Sequence, residues 1–328
     1  MNFNKINMRY SLLILFVSFI IFGSCRKKLD IDIPEAEKHI VLNGIINPDS
    51  TIRVRVTKSK SVLDNNEIEN LSSADVKLFK NDIFVENLVF NDSGYFYSNV
   101  KPEMNANYEI RTDYPGLNSV KADVFLLPPS EIQSVDTTVL IKINNYGEGY
   151  IDTTYEIHFN LRFDDKAATS DYYFLSVNTL YPVFFYTDTS MIFTGYEEYS
   201  YYFDTTDPVL NKNNNEFIID GINGRVFSDE LFNGNSYTLN FIADFYNYKS
   251  DEYVKEINDE QYPVIIVLKL LKVTEAVYNY IFSFNLNEQT RFDPFAQPVQ
   301  VYSNVENGLG LFSGYTITTD TIVLNNLK

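Results

Sequence analysis

From Ile52 to Thr57 the chain alternates residue by residue: Ile52, Val54 and Val56 are apolar, while Arg53, Arg55 and Thr57 are polar. Successive side chains of a strand point to opposite faces, so this period of two predicts a strand with one wet face. The pattern recurs at Ala74, Val76 and Leu78, at Tyr108, Ile110 and Thr112, and at Val120, Ala122 and Val124. Turn formers separate the runs, among them Asn47-Pro48-Asp49, Asn91-Asp92-Ser93-Gly94 and Pro115-Gly116. About seven short strands, each able to bury only one face, pack most simply as two sheets face to face.

Beyond Pro128-Pro129 the pattern changes. Tyr155, Ile157, Phe159, Leu161 and Phe163 form one more alternating strand, whereas Tyr172 to Tyr186 and Tyr262 to Leu271 are nearly continuous apolar runs. Such runs predict strands buried on both faces. Thr274 suits the cap of a helix in which Ala276, Val277, Tyr280, Ile281 and Phe284 share a face. The asparagine-rich 211–216 and the acidic 249–260 predict exposed loops. The expected fold is mainly β: an immunoglobulin/transthyretin-like β-sandwich over 39–129, then a larger β-rich domain over 130–328 with at least one helix.

The N-terminus carries a different signal. Lys5 and Arg9 precede an apolar run from Leu12 to Phe22, and Gly23 and Ser24 lead to Cys25, the one cysteine of the 328 residues. The run falls short of the roughly 20 residues of a spanning helix and matches the apolar core of a secretory signal. Residues 1–24 are therefore expected to be a lipoprotein signal peptide cut between Ser24 and Cys25. Cys25 is the expected lipidation site, and 25–38 a charged tether. A diacylglycerol thioether plus an amide-linked chain supplies the acyl chains that stable anchoring needs. The competing reading is an uncleaved anchor, favoured by Arg26-Lys27-Lys28.

Charge and composition narrow the function. With 26 basic against 44 acidic residues the net charge is −18, which repels nucleic-acid phosphates, so no nucleic-acid partner is expected. Tyr and Phe number 25 and 26, and Trp is missing. The aromatic stretch from Tyr172 to Phe203 includes "YEEYSYYFD" (196–204), which mixes Tyr with acids as a recognition edge does; core packing is the preferred use. His39 and His158 are the two histidines, and His158 falls on the polar side of its strand. Two such histidines give no zinc pattern, and the chain has neither H-E-x-x-H nor G-x-S-x-G. No metal, cofactor or catalytic residue is expected, and the ligand is left unknown. The acids Asp251, Glu252, Glu256, Asp259 and Glu260 are read as a solvated loop.

The stretch "DPFAQPVQVYSNVENGLGLFSGY" (293–315) spaces Gly308, Gly310 and Gly314 as G-x-G-x-x-x-G. A dinucleotide fingerprint needs G-x-G-x-x-G before a helix and a P-loop ends in Gly-Lys-Ser/Thr; here a β-branched run, 315–324, follows instead. Pro294 and Pro298 favour extended neighbours with Phe295 and Ala296 packed between them. Val299 and Val301 read as a strand, Asn307-Gly308 as a tight turn, and the whole as a hairpin. Gly310 and Gly314 mark a bulge or a close backbone approach.

The same stretch, with "LDIDIPEAEKHIVLNGIIN" (29–47), resembles the family known as domain of unknown function 4249; Gln297 and Ser313 are small departures from its ending. The resemblance implies an outer-membrane lipoprotein of Bacteroidota, encoded beside TonB-dependent receptors, and carries over no catalytic residue. The expected function is that of a lipid-anchored, non-enzymatic binding or accessory protein in nutrient uptake. Its expected partners are the outer membrane, through the lipid, and a TonB-dependent β-barrel. A surface hydrolase of glycans or peptides and a structural adhesin are the alternatives.

Overall fold

The computed structural model describes residues 37–61, 64–91, 94–145, 151–166, 169–187, 190–212, 215–246, 254–257, 260–291, 293, 295–297 and 299–324. The leader, Ser24, Cys25 and most of the tether lie outside the described residues, as do Asp251, Glu252 and Asp259. Lys38–Lys328 form one compact unit.

The first half builds β1 (Ile40–Ile46), β2 (Arg53–Lys58), β3 (Asp75–Lys80), β4 (Ile83–Asn87), β5 (Val89–Phe90), β6 (Tyr95–Tyr97), β7 (Ala106–Asp113) and β8 (Val120–Leu126). Strands in the order β4-β3-β7-β8 make one sheet, and β1-β2-β6-β5 belong to the other. The alternating apolar residues meet between them: Val54, Val56, Val76, Leu78, Tyr108, Ile110, Val120, Ala122 and Val124 are all buried in one core. The sandwich follows from the period of two.

The second half adds β9 (Ile132–Asn145), β10 (Ile151–Phe163), β11 (Tyr172–Tyr186), β12 (Met191–Tyr201), β13 (Glu216–Ile219), β14 (Ile222–Ser228), β15 (Tyr237–Tyr246), β16 (Val254–Ile257), β17 (Glu260–Pro263) and β18 (Ile265–Val273). The helix α1 (Glu275–Thr290) and the strand β19 (Leu309–Val323) complete it. A three-stranded sheet, β15-β10-β9, covers one face of β11 and β18. Ile157, Phe159, Leu161 and Phe163 pack there against Tyr173, Leu175, Ile266, Leu268 and Leu270. On the opposite face α1 buries Val277 and Ile281 against Phe174, Leu271, Val273 and Tyr315. Both faces of β18 are therefore covered, as its nearly continuous apolar run predicts. Among the described residues no helix is long and apolar enough to cross a membrane.

The strand β19 changes the picture most. Val41 to Ile46 pair in parallel with Leu309 to Gly314, and Ile265 to Val273 pair antiparallel with Tyr315 to Val323. One sheet thus runs β13-β14-β11-β18-β19-β1-β2-β6-β5, through both sandwiches. The hairpin expected around Asn307-Gly308 does not form. The side chain of Asn304 takes the place of a neighbouring strand, donating from Nδ2 to the carbonyl of Phe312 (2.7 Å) and accepting from its N–H (3.0 Å). Glycine makes the docking of β19 possible. A Cβ at Gly310, where φ is +116°, would stand 2.1 Å from the carbonyl oxygen of Leu42, and one at Gly308 would stand 2.7 Å from that of Ile40. Gly310 and Gly314 meet a close backbone, as expected, and Gly308, read as a turn residue, does so as well.

Three further expectations need correction. Phe295, expected to be packed, is 95% exposed. Residues 254–257, read as part of a loop, pair with 260–263 as a two-stranded ribbon. And the apolar run of β11 is buried only in its first half, because β18 stops pairing with it at Leu180, opposite Ile265.

Candidate functional site

The glycine-bearing stretch closes a cavity of about 410 Å³ against the edge of β8, residues 169–172 and the start of α1. Phe125, Tyr172 and Tyr302 give it aromatic walls, and Asp123, Glu275 and Asn304 are among its polar groups. Strand β18 runs straight into α1 through Thr274, whose backbone is extended (φ −79°, ψ 160°). Its hydroxyl makes no cap bond and instead pairs with that of Ser313. Burial, then the neighbouring Glu275 carboxylate, push the Tyr172 hydroxyl above its ordinary range. None of the described residues lining the cavity is basic. The acids override the weak positive end of the helix, so the space does not suit a phosphate.

Behind the cavity lies a buried charge cluster. Carboxylate oxygens of Asp165, Asp171 and Asp229 come within 4.8 Å of one another, the donor set of a cation site. The chain supplies its own cation: Nζ of Lys272 lies 2.6 Å from Oδ2 of Asp171, with the two side chains 5% and 0% exposed. Each acid has a structural partner as well. Asp171 accepts from the Thr169 hydroxyl (3.1 Å), Asp229 from the backbone N–H of Asp171 (2.9 Å), and Asp165 from the N–H of Gly234 (2.7 Å) and the Tyr173 hydroxyl. Burial, followed by the charges of Asp165 and Asp171, raises the Asp229 carboxyl above the usual carboxylate range. The cluster ties the loops before β11 and after β14 to β18. Sequence reasoning missed it, although a lysine inside the apolar run of β18 is a signal, since a lysine is seldom buried without a partner.

The two histidines are not brought together into a site. His158 lies on the outer face of β10 with Nε2 2.7 Å from Oε1 of Glu156, whose other oxygen takes Lys142. His39 donates its backbone N–H to the Ser59 hydroxyl (2.9 Å).

Among the described residues the second sandwich is open at one end. Residues directly opposite each other in paired strands share a face. Opposite Tyr155 on β10 lies Ile141 of β9, so Ile141 and Ile143 continue the inner face that further along buries Ile157 and Phe159. Val177 of β11 also faces that core, and by alternation so do Tyr181, Val183 and Phe185, with Ile192 and Tyr199 beside them on β12. Tyr181 still packs against the core, but past it Ile143 is 71%, Phe185 61% and Ile192 51% exposed. Tyr199, in "YEEYSYYFD", packs edge-on against Tyr181 (5.8 Å) while half-exposed itself. The preference for core packing therefore holds for the start of β11, while its far half and β12 carry exposed aromatic rings.

A search of curated proteins finds no match. A family model described as Domain of unknown function (DUF4249) matches residues 26–321, nearly the whole of the chain beyond Cys25, and the chain belongs to that family.

Proposed function

We propose that this protein is a lipid-anchored accessory component of the outer membrane that binds a partner rather than transforming a substrate. Cys25 carries the acyl chains, and the partner is a TonB-dependent β-barrel receptor. The observation that carries the reading is the open end of the second sandwich. Two apolar inner faces, Ile141 and Ile143 on one side and Val183, Phe185 and Ile192 on the other, continue past the core with their side chains exposed. Exposed apolar surface that extends a core is the signature of an interaction site, because leaving it in water forfeits about 25 cal/mol for each Å².

The test uses the full chain in its own cells. Metabolic labelling with a clickable palmitate is expected to mark the wild-type band and to leave the Cys25→Ser band dark. After solubilisation in mild detergent, mass spectrometry is expected to find a large β-barrel receptor with the wild type. The Phe185→Ser/Ile192→Ser variant should lose the barrel while keeping its circular dichroism, since both side chains are exposed. An unlabelled wild type, or a labelled one that purifies without any barrel, overturns the proposal.

A further inference from the structure

A second site lies at the base of β12. Glu216 of β13 and Arg225 of β14 face each other across an antiparallel pair. The guanidinium of Arg225 is only 17% exposed and sits 4.8 Å above the ring of Phe203, which fixes its plane. Its Nε and one terminal nitrogen both donate to Oε1 of Glu216, at 3.1 and 2.8 Å. A planar donor fork and a carboxylate are thereby held side by side.

Two clefts open from this pair. One, of about 640 Å³, runs toward the C-terminal half of α1 and is lined by Asn211, Asn215, Asn285 and Gln289 with Lys212 and Glu288. The other, of about 530 Å³, runs past Tyr201, Tyr202 and Phe203 to Asp204 and Asp244. Both include Glu216 and Arg225, and both volumes fall within the ~300–1,000 Å³ of small-molecule sites. At the second cleft Tyr202 is 77% exposed, a free aromatic ring beside a polar groove.

The lining selects the ligand. In the first cleft Lys212 and Arg225 balance Glu216 and Glu288, and in the second the two aspartates leave an excess of negative charge, so an anion gains nothing. The Arg–Glu pair and the amides of Asn211 and Gln289, beside those of Asn215 and Asn285 that donate to the carbonyls of Leu210 and Glu216 (both 2.8 Å), instead set donors next to acceptors. Adjacent hydroxyl groups, each donor and acceptor at once, satisfy such a surface without any net charge, and an exposed tyrosine ring offers a face for a sugar ring. Strand addition by a peptide is disfavoured at this edge, because the Glu216 carbonyl already accepts from Nδ2 of Asn285 (2.8 Å). We propose that the paired clefts meeting at Glu216–Arg225 form a binding groove for a neutral oligosaccharide long enough to cross from one cleft to the other. The proposal stands apart from the receptor reading, which concerns the other end of β12.

Isothermal titration of the full chain in detergent with maltohexaose, laminarihexaose and mannohexaose tests it, with a neutral tryptic peptide pool and a hexamer of galacturonic acid as contrasts. At least one neutral hexaose is expected to bind saturably, and its disaccharide more weakly. Tyr202→Ala, at an exposed position, should weaken that binding about tenfold. Arg225→Lys, which keeps the charge and loses the fork, should do the same with the circular dichroism unchanged. The proposal fails if none of the three hexaoses binds, if either contrast binds in their place, or if binding survives both substitutions undiminished.

Discussion

Replacing Lys272 by methionine keeps the bulk of the side chain and removes one charge from a place where water cannot replace it. In the native chain its ammonium lies 2.6 Å from Asp171, and neither side chain is more than 5% exposed. Without it, Asp171 is a buried carboxylate beside two others within 4.8 Å, with one hydroxyl donor from Thr169. Losing one partner of a buried pair costs about 3–5 kcal/mol, a large share of a typical domain stability of about 5–15 kcal/mol. The cluster has one escape, which is to take up a proton. At about 1.36 kcal/mol per unit, protonating an ordinary aspartate (about 3.9) costs roughly 4 kcal/mol at pH 7 and roughly 1.5 kcal/mol at pH 5. The defect of Lys272→Met therefore has a ceiling that falls with pH. Its sign follows from proton counting: the folded variant holds a proton that the unfolded chain releases, so its stability drops as pH rises above about 4. Urea denaturation followed by far-ultraviolet circular dichroism, at pH 5 and pH 7, measures the difference. The double variant Lys272→Met/Asp171→Asn, which removes both charges, should regain most of the loss. A Lys272→Met defect below about 1 kcal/mol at pH 7, or one that does not shrink at pH 5, refutes the reasoning.

Two other changes probe the same framework. Burial and its acidic neighbours hold the Asp229 carboxyl above its usual range, so the folded state keeps a proton that the unfolded state gives up, and Asp229 subtracts stability as pH rises through that window. Asp229→Asn retains an acceptor for the Asp171 N–H and should be more stable than wild type by on the order of 1 kcal/mol at pH 7 and equal to it near pH 4, measured by urea midpoints. Gly310→Ala, with φ at +116° and the new carbon 2.1 Å from a backbone oxygen, should lose more than about 2 kcal/mol, while Gly116→Ala, with φ +82° and open space, should lose only about 1 kcal/mol in the same melt.

What the sequence disclosed and what it hid divide along a physical line. The period of two at Ile52, Val54 and Val56, and the helical spacing of Val277 and Ile281, are local properties, and the buried faces follow them. Where a strand goes is not local. Gly308 and Gly310 announce a backbone drawing near, but nothing beside them says that it belongs to Ile40 and Leu42, some 270 positions earlier. The run from Tyr172 to Tyr186 shows why apolar content is not burial. Up to Leu180 it has β18 beside it and a sheet above, and beyond Leu180 the same kind of residue is left in water. The charge cluster draws on positions 165, 171, 229 and 272, and the Glu216–Arg225 groove joins loops, α1 and the base of β12. Each residue is ordinary alone. Their chemistry exists only once the sheet has placed them together.

Under the proposed function, that sheet links the strand after the anchor to the docking face. The first described strand is β1, and it pairs in parallel with β19, which pairs in turn with β18 and, through it, β11. A pull on the N-terminus therefore acts along β1 and loads the row of hydrogen bonds to β2 and β19 together, in shear, rather than peeling one bond at a time. Side-chain contacts also span the two sandwiches beside that seam. Arg53 of β2 pairs with Asp220 (2.9 Å) in the turn between β13 and β14, and Asn47 donates to the hydroxyl of Tyr315 (3.2 Å). Burial and the Asp220 charge push that hydroxyl up to about 12, so it stays protonated at any physiological pH and the contact does not switch. The far half of β11 and β1 thus belong to one sheet, so a partner bound at the proposed docking face is tied through that sheet to the strand that follows the proposed anchor.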